Sequence, residues 1–222
     1  MRIQDQQPLI SLLGTSAVLL QAPAPLLFDT QQKIWGLAQQ VEGWEAVLEV
    51  IPGMNNLMIT YPTLPEDMAG LKAQLLDAWQ AVEGIEKEGK VIDLPVIYGG
   101  PEYGPHMQDV VAHTGLSIAE IVRRHTAPLY PVYALGSHPG FCYLGDMDPS
   151  LATPRRQVPI TDLAGGSVSI GGVQTGVSAS QGPSGWNTIG RTKMQFFDVN
   201  KMPPALCKPG DYIRFCVEEV IQ

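Results

Sequence analysis

The first ninety residues combine two hydrophobic periodicities, one typical of helices and one typical of strands. In residues 29–43 and 65–82, apolar side chains recur every three or four positions, which predicts two amphipathic helices. Strands are predicted where apolar residues alternate or run together, over residues 17–20, 47–51, 57–61 and 90–98. The resulting order, β-α-β-β-α-β, is that of a ferredoxin-like α+β domain.

From about residue 91 onward, the pattern changes to short apolar segments separated by glycine and proline. Two short helices come first, one around Met107 and one that begins with a capping box formed by Ser117 and Glu120. Strands are predicted over residues 132–135, 168–170, 193–197 and 212–217. We therefore predict two domains, an α+β domain over residues 1–90 and a mostly β domain, a barrel or a sandwich, over residues 91–222.

An apolar run over residues 9–20 resembles a signal peptide, because small residues that suit a cleavage site follow it. Two features argue against that interpretation. Arg2 is offset by Asp5, and Gly14-Thr15-Ser16 interrupts the run. We interpret the run as two short structural segments, of which the second is a buried strand. Neither segment approaches the ~20 apolar residues that a membrane-spanning helix requires.

Composition and charge narrow the possible classes of function. The chain has 222 residues, of which 45% are hydrophobic and 16% charged, and its formal net charge is −8. No basic run is longer than a pair, so we exclude nucleic acid and anionic membrane surfaces as partners. The three cysteines form no C-x-x-C pair and the four histidines form no H-x-x-x-H pair. We therefore predict no metal site, and reduced thiols in a cytoplasmic protein.

Three segments suggest chemistry but have simpler explanations. Residues 185–192 nearly match a P-loop, yet an arginine replaces the lysine and a predicted strand follows, so we predict a hairpin turn. Residues 172–176 lack the helix that must follow a dinucleotide-binding fingerprint. His138 and Cys142 are four positions apart, but Pro139-Gly140 prevents a helix that would align them. We interpret Cys142 as a buried thiol beside an aromatic residue.

The stretch 136–174 concentrates glycine, proline, aromatic residues and arginine, which is typical of rigid binding loops. Arg155 and Arg156 lie between two prolines, and arginine suits bidentate recognition of a carboxylate. Gln174 lies between glycines, where its amide can pair with a ligand amide. His125 lies at the end of the second short helix, where the helix dipole favours the imidazolium form. Each also has a structural explanation. The arginines can be a solvated surface pair, Gln174 a turn residue and His125 a capping residue.

Several segments share the motifs of a known family. They are Ile51-Pro52-Gly53-Met54-Asn55-Asn56, Pro139-Gly140-Phe141-x-Tyr143-Leu144-Gly145, Leu151-Ala152-Thr153-Pro154-Arg155-Arg156, Ala164-Gly165-Gly166-Ser167-Val168, Gly172-x-Gln174-Thr175-Gly176 and Gly185-Trp186-x-x-Ile189-Gly190-Arg191-Thr192. Together they resemble the B subunit of the bacterial ATP-dependent 5-oxoprolinase, in a family that also contains the sporulation-kinase inhibitor KipI. Related domains carry the label allophanate hydrolase subunit 1.

This resemblance implies a ferredoxin-like N-terminal domain and a cyclophilin-like β-barrel as the C-terminal domain. It also implies that a heteromeric complex with the A subunit and a KipA-like C subunit opens 5-oxoproline to glutamate with ATP. The chain is then inactive alone, and its sequence identifies no ATP site. Two alternatives stay open. One is KipI-like inhibition of a sensor histidine kinase, and the other is a role in a urea- or allophanate-type amidohydrolase or carboxylase.

For a ligand like 5-oxoproline, the predicted pocket lies on the C-terminal barrel. The predicted substrate-binding residues are Arg155, Gln174, Arg156, Phe141 and Tyr143. The arginines match the ligand carboxylate, the glutamine matches the lactam amide, and the aromatic residues with the preceding Pro-Gly turn form one wall. His125 is predicted to be catalytic, because a histidine that titrates near neutral pH can transfer a proton during ring opening.

Overall fold

The computed structural model describes residues 7–222, so Arg2 and Asp5 of the signal-peptide argument lie outside the described residues. The chain forms two compact units that divide between Glu86 and Lys87. Each unit contains its own hydrophobic core. Within residues 7–222, no helix combines the length and the apolar character needed to cross a membrane.

The N-terminal unit is a four-stranded antiparallel sheet with two helices. Its elements are β1 (Leu9–Leu13), β2 (Ala17–Gln21), α1 (Phe28–Val41), β3 (Glu49–Gly53), β4 (Asn56–Thr60) and α2 (Met68–Ala81). The strand order across the sheet is β1-β2-β4-β3. Alternate residues of the two central strands are buried in the core with the helices, namely Val18, Leu20, Leu57 and Ile59. This alternation confirms the predicted strands over residues 17–20 and 57–61, and both predicted helices are present as α1 and α2.

The C-terminal unit is a closed barrel of seven strands, which confirms the predicted mostly β domain. Its strands are β5 (Val91–Gly99), β6 (Tyr130–Leu135), β7 (Cys142–Leu144), β9 (Ser167–Gly171), β10 (Gln174–Val177), β12 (Asn187–Arg191) and β13 (Tyr212–Ile221). Strands β8 (Ile160–Leu163) and β11 (Gly182–Ser184) form a separate pair. Three helices precede β6, namely α3 (Gly100–Tyr103), α4 (Met107–Thr114) and α5 (Ile118–Thr126). The barrel order is β10-β7-β6-β13-β5-β12-β9.

The strand predicted over residues 90–98 forms, but its predicted place in the N-terminal sheet is wrong. It is β5 of the barrel, where it pairs in parallel with β13 along its whole length. The position beside β2, where a ferredoxin-like unit would place its last strand, is held by β1. The hydrophobic pattern predicts that a segment is a strand, but pairing between residues distant in sequence decides which sheet it joins.

Two local predictions in the barrel are also wrong. Residues 185–192 contain a barrel strand, β12, in place of the predicted hairpin turn. Gly190 suggests a turn in the sequence, but glycine is required there for a packing reason. A Cβ at this position would lie 2.6 Å from Val96 Cγ1. Residues 193–197 form no named strand. The apolar pattern of this segment reflects the burial of Phe196 in the core. A side chain can be buried in this way without its backbone pairing in a sheet.

The segment that joins the two units is expected to be the first site of proteolysis. Residues 82–90 have no regular secondary structure, and Glu83, Glu86 and Glu88 are exposed. Exposed irregular segments are the preferred sites of cleavage in folded proteins. We expect endoproteinase Glu-C to cut here first and to release two fragments, one for each unit, measured by mass spectrometry. Initial cleavage after Glu102, which is exposed but lies in α3, would contradict this expectation.

Candidate functional site

A pocket of about 330 Å³ on the barrel unit contains most of the predicted substrate-binding residues. Four predicted residues line it, namely Phe141, Tyr143, Arg155 and Arg156. His138 and Trp186 also line it, although the sequence analysis assigns neither of them to ligand binding. The other two predicted site residues, Gln174 and His125, lie outside its lining.

A tight turn before β7 presents His138 and Phe141 to the pocket. Ser137 and Gly140 have φ values of +62° and +80°, so the backbone reverses within a few residues. The His138 N–H donates to the Gly136 carbonyl at 2.7 Å, and the Gly136 N–H donates to the Phe141 carbonyl at 3.2 Å. A Cβ at Gly140 would lie 2.8 Å from a neighbouring side chain, so this position requires glycine.

Three aromatic side chains form one wall of the pocket. The ring of Phe141 meets those of Tyr143 and Trp186 edge to face, with centroids 4.7 Å and 5.8 Å apart. The Tyr143 and Trp186 rings are also in edge contact, at 6.0 Å. Gly171 in β9 makes room for the indole, since a Cβ there would overlap it. This packing fixes each ring and leaves an apolar surface beside the polar residues.

Backbone hydrogen bonds on both sides hold the arginine pair in place. Thr153 and Gly172 exchange two bonds, at 3.1 Å and 2.7 Å, which tie the segment to the turn between β9 and β10. The Arg156 N–H donates to the Gly185 carbonyl at 2.7 Å on the other side. The segment has no regular strand or helix of its own, so these bonds position both guanidinium groups.

The two arginines differ in the partners of their guanidinium groups. Arg155 is exposed and lies 5.8 Å from the centroid of the Trp186 ring, within the range of a cation–π contact. It forms no ion pair with any residue in the described part of the chain. Arg156 donates from Nη1 to Asp109 Oδ2 at 2.7 Å. Arg156 Nε is buried and lacks a hydrogen-bond partner within residues 7–222.

His138 provides a second buried polar atom that lacks a protein partner. Its Nε2 forms no hydrogen bond with the described residues, although it is shielded from solvent. Burial lowers the pKa of His138, because desolvation disfavours the charged imidazolium. The imidazole is therefore neutral at pH 7, and its tautomer decides which ring nitrogen donates and which accepts a hydrogen bond. Buried polar atoms are normally paired, so Arg156 Nε and His138 Nε2, on two residues that line the pocket, are exceptions among the described residues.

The predicted charged state of His125 is wrong. One of the two hydrogen bonds of the predicted capping box forms at the start of α5, because Ser117 Oγ accepts from the Glu120 N–H at 3.2 Å. At the other end of α5, however, His125 is fully buried, and burial lowers its pKa to about 3. The helix dipole cannot offset the loss of solvation in the core, so this histidine is neutral.

Hydrogen bonds define the tautomer of His125 and its structural role. Thr175 Oγ1 donates to the Ser169 carbonyl at 3.1 Å, so it accepts from His125 Nε2 at 2.9 Å. Nδ1 is then the unprotonated nitrogen and accepts from the Tyr98 hydroxyl at 2.9 Å. Phe215 packs against the ring, with centroids 4.4 Å apart. Both ring nitrogens are used within the core, so we assign no proton transfer to His125.

Gln174 begins β10 and pairs with Gly171 in β9. The glycines around it have structural reasons, since Gly172 has a φ of +66° and a Cβ at Gly176 would lie 2.7 Å from the Cys142 carbonyl oxygen. For Trp186 and His138, the local sequence gives no signal of ligand binding. An isolated tryptophan carries no ligand signal, and the only chemistry that the sequence suggests for His138 is a pairing with Cys142. That thiol is buried, and a hydrogen bond with Cys207 and burial raise its pKa well above its usual value.

Among the described residues, we find neither a metal-binding cluster nor a P-loop at the segment that resembles one in sequence. No group of three or more His, Cys, Asp or Glu side chains in residues 7–222 is arranged to hold a metal ion. At the lysine position of the P-loop-like segment, Arg191 pairs with Glu102 at 2.7 Å and stacks over the Tyr103 ring at 4.5 Å. The segment is a barrel strand and begins no helix, so its backbone does not fit a phosphate.

Comparisons with known proteins agree with the motifs. A family model described as the carboxyltransferase domain, subdomain C and D, matches residues 8–207. The B subunit of 5-oxoprolinase from Escherichia coli O157:H7 is 42% identical, over 92% of this chain and 93% of that protein. The B subunit of 5-oxoprolinase from Haemophilus influenzae is 37% identical, over 94% of this chain and 97% of that protein.

A solved structure shows the same fold in a more distant protein. The urea amidolyase of K. lactis aligns with a TM-score of 0.81 at 16% identity. The alignment covers 96% of this chain but only 15% of that much longer chain. At this identity the match shows the fold alone, whereas the two 5-oxoprolinase relatives match along nearly their whole length. The chain therefore belongs to the family of 5-oxoprolinase B subunits, within the carboxyltransferase domain, subdomain C and D.

Proposed function

We propose that this chain is the B subunit of an ATP-dependent 5-oxoprolinase complex that opens 5-oxoproline to glutamate, with a cyclophilin-like barrel that carries the substrate site. The pocket carries the proposal. Its lining combines an aromatic wall with His138 and two arginines, one of which, Arg155, has no ion pair among the described residues. The names of the two relatives reported above support the same reaction.

The ligand chemistry fits the pocket group by group. Arg155 binds the carboxylate of 5-oxoproline, because its guanidinium is exposed to the pocket and can donate two parallel hydrogen bonds. The lactam amide lies beside Arg156 and His138, which line the same pocket. The apolar edge of the ring packs on the aromatic wall. A volume of about 330 Å³ is at the small end of ligand pockets and suits a single five-membered ring.

The proposal assigns ATP to the complex and not to this chain. The P-loop-like segment is a barrel strand whose arginine is already paired, so its residues do not fit a nucleotide. We propose that the A subunit and a KipA-like C subunit supply the ATP site and that this chain is inactive alone. The unpaired cysteines, Cys142, Cys207 and Cys216, suit the reducing cytoplasm.

Reconstitution tests the proposal directly. The purified chain is mixed with the A and C subunits, and 5-oxoproline-dependent release of phosphate and glutamate is measured. We expect both products only when all components are present, with phosphate and glutamate formed in parallel. If the complete mixture forms no glutamate, the proposed function is wrong. If this chain alone forms glutamate from 5-oxoproline and ATP, the assignment of ATP to the other subunits is wrong.

A further inference from the structure

We propose that a second pocket on the barrel unit, of about 420 Å³, binds a phosphate monoester whose organic part has an apolar face. Two lysines, a buried aspartate and an apolar wall line this pocket. None of these residues lines the pocket proposed for 5-oxoproline. The inference concerns binding by this chain and assigns no step of the proposed reaction to the second pocket.

Two lysines give the second pocket its positive charge. Lys90 directly precedes β5, and Lys208 lies in the turn before β13. Both residues are exposed, and neither forms an ion pair within residues 7–222. The formal net charge of the chain is −8, so two ammonium groups without acidic partners create a local positive potential in an acidic protein.

Asp211 positions the two lysines through their backbones. Its carboxylate is buried, and Oδ1 accepts from the Lys90 N–H at 3.1 Å while Oδ2 accepts from the Lys208 N–H at 3.0 Å. A Cβ at Gly89 would overlap the Gly210 carbonyl oxygen, so the two segments are in close contact. Each carboxylate oxygen is bonded to a backbone N–H, which leaves the lysine ammonium groups available to an anion.

A third lysine adds positive charge beside this pocket. The stem of Lys87 packs on the backbone of Gly210, because a Cβ at that glycine would lie 2.5 Å from Lys87 Cβ. Burial lowers the pKa of Lys87, and the positive charge of Lys208 acts in the same direction. Like charges that are close together repel each other, so a bound anion offsets an unfavourable interaction that is present in the empty pocket.

The apolar wall of the second pocket consists of Pro203, Ala205 and Leu206. Backbone pairing holds this loop in place, since the Leu206 N–H donates to the Phe196 carbonyl at 2.8 Å and Phe197 forms an antiparallel bridge with Ala205. Leu206 also packs against the barrel core. Inorganic phosphate leaves this wall uncovered, whereas the organic part of a phosphate ester can pack on it. A volume of about 420 Å³ is in the usual range for small-molecule pockets.

The side chains that line the pocket favour phosphate over carboxylate as the anion. Among the described residues, no arginine lines it, so the planar fork that matches a carboxylate is absent. Lysine binds phosphate as a point charge. A phosphate monoester carries a charge of about −1.5 to −2 at pH 7, which is close to the combined charge of two lysines. A nucleoside monophosphate such as AMP joins this charge to a base with apolar faces.

AMP and its parts test the proposal by isothermal titration calorimetry on the purified full chain. Ribose 5-phosphate retains the phosphate without the base, and adenosine retains the base without the phosphate. We expect AMP to bind at least about tenfold more tightly than ribose 5-phosphate, inorganic phosphate or adenosine, because only AMP contacts both the lysines and the wall. The proposal is overturned if AMP does not bind, or if it binds no more tightly than inorganic phosphate.

Charge-matched variants locate the site. Lys90→Gln and Lys208→Gln each remove one ammonium group but keep the backbone N–H that bonds to Asp211. We expect each to weaken AMP binding about tenfold or more, as for the loss of a hydrogen bond to a charged group. Lys72→Gln is the control, since it makes the same change in net charge at an exposed lysine on α2.

We expect Lys72→Gln to bind AMP within about twofold of the unmodified chain, because Lys72 does not line the pocket. Equal weakening in all three variants would show attraction by overall charge and would overturn the proposal. So would AMP binding that Lys90→Gln and Lys208→Gln leave unchanged. Circular dichroism checks that each variant is folded. The measurement uses this chain without the other subunits, so its outcome is independent of the reconstitution experiment.

Discussion

Arg155→Ala in the assembled complex is expected to lower kcat/KM for 5-oxoproline about tenfold to a hundredfold. Arg155 has an exposed guanidinium that lines the pocket and forms no ion pair with the described residues. Loss of a charge-assisted hydrogen bond to a carboxylate costs about 1.5–3 kcal/mol, which corresponds to this range. The carboxylate does not change during ring opening, so the effect should appear mainly in KM. Steady-state kinetics with varied 5-oxoproline measures both constants.

Two control variants make this prediction specific. Arg123→Ala removes an arginine whose side chain is 65% exposed and paired with Glu120 on α5, away from the pocket lining. Gln174→Ala changes a residue that the sequence predicts in the site but that lies outside the pocket lining. We expect both to keep kcat/KM within about twofold. Equal loss in all three variants would place the carboxylate site elsewhere.

His125→Ala is expected to lower the free energy of unfolding by about 2–5 kcal/mol. The substitution leaves a cavity beside Phe215 and removes the bonding partners of the Tyr98 hydroxyl and of Thr175 Oγ1. Unpaired buried polar groups cost about 1–3 kcal/mol each, and cavities in a packed core add to this cost. Urea denaturation at pH 7 measures the difference. A change below about 0.5 kcal/mol would contradict the core role.

The same histidine predicts a pH dependence of stability. The pKa of His125 is about 3 in the folded state and 6.5 when the residue is exposed, so between these values the unfolded chain binds a proton that the folded chain does not. The contribution of His125 to the free energy of unfolding is therefore complete above about pH 6.5. It decreases toward pH 3, by as much as ~1.4 kcal/mol per pH unit. His125→Asn cannot titrate, so its free energy of unfolding should fall less steeply than that of the original chain over this range.

The sequence by itself determined the types of most elements, because hydrophobic periodicity reports which faces of a segment are buried. The apolar alternation of β2 and β4 and the spacing in α1 and α2 correspond to the N-terminal core. The family resemblance also came from the sequence and is confirmed by the comparisons. For the site, the sequence selected Arg155, Arg156, Phe141 and Tyr143, since arginine pairs and rigid aromatic turns are local signals.

The tertiary structure decided what depends on residues far apart in the chain. Strand β5 joins the barrel because β13, more than a hundred residues later, offers it a full-length partner. His125 was expected to be charged, since the helix end is visible in the sequence whereas the burial of its ring by other elements is not. His138 and Trp186 enter the site for the same reason. Only folding places their side chains beside the arginines, because the pocket is formed by segments that lie apart in sequence.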